Sequence, residues 1–421
     1  MACEQFDIVI RDNKTLQEIQ PVSKFRRFHC RKELNAVGSF TLELDLRCGE
    51  VPPSLQRERY GIHVYRRRDR RRIFTGPFTS FQRKKTSDET VLVLAGADEN
   101  LYLDDRIIVP GEPYKFATSY TKKYYTRQAK AETVMKDLVN LHLVENRPPL
   151  FRPIVIEPDL GRGKTVNRKI RFTKLLSELQ NLARYCTQSD GRSGHRFEIQ
   201  VVDDSQGRPQ DLVFRLIPWR STWSMNQGLE FSERLGNLLE YNQIYQRPDF
   251  NAVLAWDEEA GKGAYDINNY SRSRWGLIEH FIKRNGATTQ ELKEACWDAL
   301  ELEQGKERAD QNMFGKITCD AVVGDAEGGP RFLDDWDLGY FARVLIYDPP
   351  PPAHEDDVVE VFDYIREWEL EIDGETMESQ IKAKIGNPQG KGHKDDELVP
   401  FLVDYIWRLE ERLYIIEANY S

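Results

Sequence analysis

Long apolar runs are missing from this sequence. No window of its 421 residues approaches the ~18 consecutive apolar residues of a membrane-spanning helix, so no membrane span is expected. The opening MACEQFDIVIRD has no basic stretch leading into an apolar core; this is not the pattern of a secretory signal, and it reads as the first strand of a domain. Cysteine is sparse: Cys3, Cys30, Cys48, Cys186, Cys296 and Cys319 show no C-x-x-C pair and no regular spacing. They are expected to be reduced residues of a protein made in a cytoplasm. The seven histidines (His29, His63, His142, His195, His280, His354, His393) are dispersed, with no H-E-x-x-H and no Cys/His cluster at metal-ligand spacing. A G-x-S-x-G elbow is also missing. Carboxylates are too abundant for any one pair to stand out. No catalytic residue, cofactor or metal site is therefore expected.

One stretch invites a phosphate-loop reading: Gly161-Arg162-Gly163-Lys164-Thr165, behind a short strand at Ile154–Ile156. A Walker loop needs a further glycine five residues before the Gly-Lys-Thr glycine, so that its amides wrap the phosphates. Pro158 stands there, with no amide proton and a fixed φ. No helix pattern starts directly behind Thr165 either, and nucleotide binding is not expected.

The residues present describe a soluble globular chain, 40% apolar and 31% charged, with a mean hydropathy of −0.63. The net charge of −9 hides an asymmetry. Residues 1–100 carry 19 Lys/Arg against 14 Asp/Glu, while residues 345–421 carry 7 against 19. A basic front and an acidic back suit surfaces that meet partners of opposite charge.

The pattern that organises the chain is Tyr60–Gly96. Ile62–Arg66 alternates apolar and polar residues, an arginine-rich turn Arg67–Arg72 follows, then strands Ile73–Arg83 and Thr90–Ala95 flank a Ser87-Asp88-Glu89 turn. A distorted echo lies near the other end: Gly339–Asp348, Val358–Ile372 and Met377–Gly386, with a proline-rich turn and an Asp373-Gly374-Glu375-Thr376 turn between them. Two such units in one chain predict a pseudo-symmetric assembly; two hairpin-rich segments can also look alike by chance.

Between the units the signals are mixed. Helical periodicity covers Ala129–Leu143, Phe172–Cys186 (with Thr173 as N-cap) and Thr288–Gln304, the last behind a Thr288/Glu291 capping pattern. A hairpin is expected at Arg196–Val202 and Asp211–Ile217 around Asp204–Gly207. Behind a Gly/Lys-rich linker at 387–393, Leu398–Leu413 places Leu398, Phe401, Leu402, Tyr405, Leu409 and Leu413 on one helical face. That face either packs back on the chain or docks on a partner, which makes Phe401, Tyr405 and Leu409 candidate contacts.

The arginines Arg66, Arg67, Arg68, Arg70, Arg71 and Arg72 form the other candidate contact. A phosphate site, a solvated turn and an acidic partner surface all fit such a run. Nucleic-acid binding usually adds stacking aromatics or a recognition helix, and neither accompanies it. The eight tryptophans are spread along the chain as core or interface anchors.

In order, the pieces Ile10-Arg11-Asp12, Asn35-Ala36-Val37-Gly38-Ser39-Phe40-Thr41-Leu42, Phe74-Thr75-Gly76-Pro77-Phe78-Thr79-Ser80, Leu94-Ala95-Gly96, Leu160-Gly161-Arg162-Gly163, Leu175–Ala183, Phe231-Ser232, Gly236-Asn237-Leu238 and Trp336-Asp337-Leu338-Gly339 run from about residue 5 to 345. Their order resembles the tail hub family of long-tailed, siphovirus-type bacteriophages. The chain departs from that pattern at Gly339-Tyr340, where the family tends to have Gly-Asp, and in its acidic strands after Asp348. The resemblance implies an α+β, predominantly β chain: two tube-like antiparallel β-barrel domains with inserted mixed α/β decorating domains and a C-terminal helix. The corresponding boundaries are 1–105 and 236–386 for the barrels (a helical insertion around 288–304 in the second), 106–235 for the mixed insertion, and 387–421 for linker and helix.

It further implies a homotrimer at the virion tail tip. Six quasi-equivalent β-units would join the six-fold tail tube or distal tail ring to a three-fold central fibre or spike. Tape measure protein and genomic DNA would pass through without specific binding. A wall that passes DNA works best when neutral or acidic, so the arginine tip is expected to face a neighbouring protein rather than the bore. Two other readings are a tail-tip cell-wall hydrolase and a glycan-binding module using Trp219, Trp223 and Trp275. The first calls for a lytic constellation that the sequence does not show.

Overall fold

Two strands of 15 residues each carry the main sheet. The computed structural model describes residues 5–45, 59–85, 90–110, 124–145, 153–218 (without 184 and 187–194), 229–305 (without 242, 247, 248 and 285), 316–347 (without 320 and 324–328) and 359–385. The proline run at 349–352, the segment 398–413 with Phe401, Tyr405 and Leu409, and Trp219 and Trp223 lie outside them. By internal contacts the chain divides into two compact units, Met1–Leu239 with Val322–Lys384, and Glu240–Ala321 with Ile385–Ser421.

In the first unit the strands are β1 (Phe6–Asp12), β2 (Glu18–Val22), β3 (Arg27–Glu33), β4 (Ser39–Asp45), β5 (Tyr60–Arg66), β6 (Arg71–Lys85) and β7 (Thr90–Ala97). A mixed α/β segment follows: α1 (Leu101–Asp104), β8 (Tyr125–Lys130), α2 (Ala131–Val139), β9 (Ile154–Ile156), β10 (Thr165–Ile170), α3 (Leu175–Ala183), β11 (His195–Asp203) and β12 (Pro209–Pro218). Then come β13 (Leu229–Ser232) and β14 (Leu238–Glu240). The second unit holds β15 (Gln243–Gln246), β16 (Ala252–Asp257), β17 (Lys262–Ile267), α4 (Asn269–Trp275), β18 (Glu279–Lys283), α5 (Thr289–Gly305) and β19 (Lys316–Cys319). The chain ends its described course with β20 (Ala321–Val323), β21 (Phe341–Ile346), β22 (Val359–Asp373) and β23 (Ser379–Ile385). The chain is thus predominantly β.

The main sheet runs β23-β22-β3-β4-β7-β6-β5-β1-β2, extended beyond β23 by β20 and β14, with β21 on β22 and β13 on β21. The echo between the two ends of the sequence is structural. In β5-β6-β7 the first half of the 15-residue β6 pairs with β5 and its second half with β7. In β21-β22-β23 the 15-residue β22 gives its first half to β21, and β23 lies beside it. The two units are not separate sheets: the second half of β22 pairs with β3, from Glu367↔Glu33 to Asp373↔Arg27.

A long strand changes partners only if it bends. In β6 the pairing slips between Phe78 and Ser80, a bulge of the kind that bends a strand and sharpens its twist. At the bend three backbones crowd together. A Cβ on Gly76 would lie 1.8 Å from the Ala97 carbonyl oxygen, and one on Gly61 2.3 Å from that of Gly76. Only residues without side chains fit. Phe40 fills the inside of the bend, with ring centroids 5.7 Å from Phe74 and 5.6 Å from Phe78.

This mixed segment follows its sequence closely, with two differences. The helix expected over Ala129–Leu143 is α for Ala131–Val139 and continues as a π-turn over Asn140–Val144. Thr173 does not cap α3: its hydroxyl donates to the Arg171 carbonyl at 3.4 Å. Phe172 takes φ +52°, and the free amide of Leu175 reaches the Arg106 carbonyl at 2.8 Å, so the helix start is satisfied from another segment. The β11–β12 hairpin forms as expected around Asp204, whose carboxylate accepts the amides of Gln206 (2.8 Å) and Arg208 (2.9 Å).

In the second unit β16 lies between antiparallel β17 and parallel β18. One face of this sheet packs on α5, burying Val253 and Ala255 against Leu292, Cys296 and Leu300. The capping box at its start is present: the Thr288 hydroxyl accepts the Glu291 amide (3.2 Å) and the Glu291 carboxylate accepts the Thr288 amide (2.6 Å).

Candidate interaction surface

The turn of the arginine hairpin is shorter than the sequence suggests. Arg71 and Arg72 are the first residues of β6, opposite Arg66 and Tyr65, and only residues 67–70 turn. Arg70 sits at φ +57° and the Asp69 carboxylate accepts the Arg71 amide at 3.1 Å, which tightens the turn to four residues.

That register splits the six arginines into two sets. Arg66 and Arg72 turn inward, and Arg71, though exposed, reaches back to its own chain. Arg66 donates to the Phe332 carbonyl (3.1 Å), to Asp334 (3.0 Å) and to Asp69 (3.1 Å). Arg71 reaches the Leu333 carbonyl (2.6 Å), and Arg72 the Val201 carbonyl (3.0 Å) and Asp203 (2.5 Å). The Arg66 guanidinium holds the Asp69 carboxyl down at about 2, while burial pushes the Tyr65 phenol up to about 12. These are charge-assisted bonds, and they tie the hairpin to the 332–334 segment and to β11.

Arg67, Arg68 and Arg70 turn outward, with side chains 47%, 45% and 55% exposed. Each is already engaged: Arg67 with Asp7 (2.8 Å) and Gln5 (2.6 Å), Arg68 with Asp334, and Arg70 with Glu18 (3.2 Å) and, 4.4 Å above its centroid, the Tyr65 ring. Exposed pairs of this kind are weak, typically below about 1 kcal/mol, so an incoming carboxylate can exchange with them at little cost.

Behind the inward arginines lies a cavity of about 280 Å³, lined among others by Lys32, Arg72, Asp98, Arg196, Glu198 and Asp337. Lys32 binds Glu198, and Arg196 binds Asp337 (3.2 Å) and the Leu338 carbonyl (2.5 Å). Burial alone would raise the Glu198 carboxyl, but Lys32 and Arg196 overcome it and hold it at about 2. Asp98 is different. It is 5% exposed, one carboxylate oxygen accepts the Asn100 amide (3.1 Å) and the other has no hydrogen-bond partner. Burial pushes its carboxyl up to about 7.

A carboxyl raised in the folded state binds more protons there than in the unfolded chain between pH 3.8 and about 7. Stability therefore falls as pH rises through that window. In Asp98→Asn the slope is removed: urea midpoints at pH 5 and pH 8 should converge, where the parent protein is less stable at pH 8. Equal slopes in both proteins would show that Asp98 does not carry the effect.

The glycine loop at 161–165 does bind an anion, but it is the chain's own. The Glu132 carboxylate of α2 accepts the amides of Arg162 (2.8 Å) and Leu160 (3.3 Å), the Arg162 guanidinium (2.8 and 2.9 Å) and the Lys136 ammonium (2.6 Å). Burial opposes ionisation, yet these partners hold the carboxyl at about 2. The space a phosphate would need is filled. Among the described residues no group of three or more His, Cys, Asp or Glu could hold a metal. Cys30, Cys186 and Cys296 are free and buried.

Several motifs singled out in the sequence sit at the joints of this unit. Asn35 accepts the Phe197 amide (2.7 Å) and Asn100 the Ile199 amide (2.9 Å), which hang β11 on the first strands. Asp337 and Leu338 receive Arg196. Asn237 closes the turn after β13 by accepting the Ser232 amide (2.8 Å). A family model matches this whole arrangement, over residues 7–387.

The chain belongs to the Siphovirus ReqiPepy6 Gp37-like protein family.

The resemblance read from the ordered motifs is thereby borne out. The fold is similar to that of a tail protein from Neisseria meningitidis MC58, at 13% identity over 91% of this chain and 97% of the other, TM-score 0.52. It is equally similar to the prophage MuSo2 43 kDa tail protein from Shewanella oneidensis, at 14% identity over 90% and 98%, TM-score 0.53. Prophage tail protein gp18 from Listeria monocytogenes EGD-e shares it at 11% identity over 94% and 99%, TM-score 0.50. No curated protein matches the chain in sequence. At these identities the likeness is one of fold, and the family has the fold of phage tail proteins.

Proposed function

We propose that the chain is the structural hub of a long-tailed phage tail, a non-enzymatic virion component at the tail tip. The observation that carries this reading is the recurrence of the short–long–short meander, β5-β6-β7 and β21-β22-β23, within one chain. Three chains that each present the meander twice supply six equivalent surfaces, which matches a six-fold tube above to a three-fold fibre or spike below. In this reading 1–105 and 236–386 supply the tube-like barrels, closed between subunits, and the remaining segments decorate them. Tape measure protein and genomic DNA pass through the bore. The outward arginines Arg67, Arg68 and Arg70 meet acidic side chains of the adjoining distal ring, exchanging their weak internal pairs for intermolecular ones.

Native mass spectrometry of the purified protein, with negative-stain images of the same sample, tests this. The expected result is a trimer with a central hole. A monomer that also fails to join tails purified without it would overturn the hub.

A further inference from the structure

The two meanders are not equally covered. The second half of β22 has a strand on either side: β3 on one, from Glu367↔Glu33 to Asp373↔Arg27, and β23 on the other, returned by the Asp373 turn. Glu367, Trp368, Leu370 and Ile372 are buried there. The second half of β6 pairs with β7 alone, from Phe78↔Gly96 to Lys85↔Thr90. All seven residues from Thr79 to Lys85 are exposed, Phe81 among them. Such an edge offers about 23 Å of unpaired amides and carbonyls, the template on which a further strand adds. Among the described residues no strand takes the place beside β6 that β3 takes beside β22.

The sheet order says which strand belongs there. From β6 it runs β6-β7-β4-β3, and from β22 it runs β22-β23-β20-β14. β14 therefore stands where β3 stands. β3 goes on to pair with β22, whereas β14 ends the sheet with its far side open. The joint inside the chain is charged: Glu371 meets Arg27 (2.5 Å) and Glu367 meets Arg31 (3.9 Å). At the open joint the signs are exchanged, with Arg83, Lys84 and Lys85 on β6 and Glu240 on β14, beside an exposed Leu239. Other occupants fit less well. A second β6 would set those cations against their like. β2, the outer strand at the sheet's other end, has Pro21 in place of an amide donor.

We propose that β14 of one copy pairs with Thr79–Lys85 of the next, so that the β22·β3 joint within the chain is repeated as a β6·β14 joint between chains. The contact is head-to-tail, and its repetition closes a ring. The three residues of β14 pair weakly alone, and closure is what holds the contact. The inference rests on the hub reading only for the number of copies in the ring.

The test places a photoreactive benzoyl-phenylalanine at position 81 of the full-length chain and mixes isotope-labelled with unlabelled protein. After irradiation, cross-links to Leu238–Glu240 of a copy with the other label are expected, in covalent products no larger than trimers. Trimers in native mass spectra whose cross-links go to any other strand, or to none, would overturn the strand pairing and leave the hub standing. Cross-links to Leu238–Glu240 in dimers only, or in open chains longer than three, would uphold the pairing and sink the trimeric hub. A protein that stays monomeric at every concentration, without these cross-links, would overturn both. As a second readout, Lys84→Glu with Lys85→Glu should raise the dissociation constant of the assembly about tenfold, and adding Glu240→Lys should restore most of it. A charge reversal without effect would count equally against β6 as the docking edge.

Discussion

Glu132→Ala should be among the most damaging single substitutions in the chain, costing about 3 kcal/mol, because it removes the nearest counter-charge of two largely buried cations and strips two backbone amides of their acceptor. Glu132 is fully buried and its carboxylate gathers two backbone amides, the Arg162 guanidinium and the Lys136 ammonium. Lys136 keeps the Pro158 carbonyl (2.7 Å) and Arg162 the Leu216 carbonyl (3.0 Å), and the part-exposed Glu157 carboxylate, 3.6 Å from Lys136 and 3.3 Å from Arg162, stays as a weaker counter-charge. Glu132→Gln keeps the shape and loses less. The pH dependence has a definite sign. A carboxyl held at about 2, against 4.5 for an ordinary glutamate, gives stability that is complete above pH 4.5 and is lost as pH falls toward 2. Differential scanning calorimetry at pH 7 and pH 3 should therefore show the two proteins converging in acid. A variant as stable as the parent at pH 7 would mean that the loop holds itself without the carboxylate.

Gly76→Ala is expected to be worse than its single methyl group suggests. The added Cβ would lie 1.8 Å from the Ala97 carbonyl oxygen and 2.7 Å from its carbon. Both are backbone atoms, so no side-chain rotation relieves the clash, and a cost of about 3 kcal/mol or more is expected. In practice this means protein that expresses mainly as aggregate. Gly207→Ala is the control. Nothing lies within 4 Å of its Cβ and only its left-handed φ of +75° is strained, so it should cost about 1–2 kcal/mol. Comparable soluble yields of the two variants would show that the strands at the β6 bend can separate cheaply.

The elements legible in the sequence were those whose cause is local. Alternation gave β5, β6 and β7, helical periodicity gave α3 and α5, and the Thr288/Glu291 capping box and the Asp204 turn formed where their residue types require. The echo between the chain's two ends was visible because each meander carries its own turns. What stayed hidden depends on distance. Nothing local to β22 says that its second half pairs with β3, because pairing partners are chosen by faces and register rather than by composition. The arginine run read as one patch, since side chains one register step apart look alike in sequence. Only the β5–β6 pairing separates the largely buried side chains of Arg66 and Arg72 from the exposed Arg67, Arg68 and Arg70. The role of Glu132 is hidden for the same reason, because the loop it fills lies beyond a strand and a turn. The signal available was a glutamate at the buried start of an apolar helix, with a glycine loop carrying an arginine about 30 residues on.

The pairing of β3 with β22 also bears on how the chain is made. β3 leaves the ribosome early, whereas its partner follows after on the order of 300 residues, or tens of seconds at ordinary rates of synthesis. For that interval one edge of the first sheet has no partner of its own. The edge strand, Arg27–Glu33, carries Arg27, Arg31, Lys32 and Glu33 among seven residues, a charged rim of the kind that keeps open strands from joining strangers. When β22 arrives, Glu371 and Glu367 meet Arg27 (2.5 Å) and Arg31 (3.9 Å). The residues that guarded the edge during synthesis thus become its lock once the chain is complete.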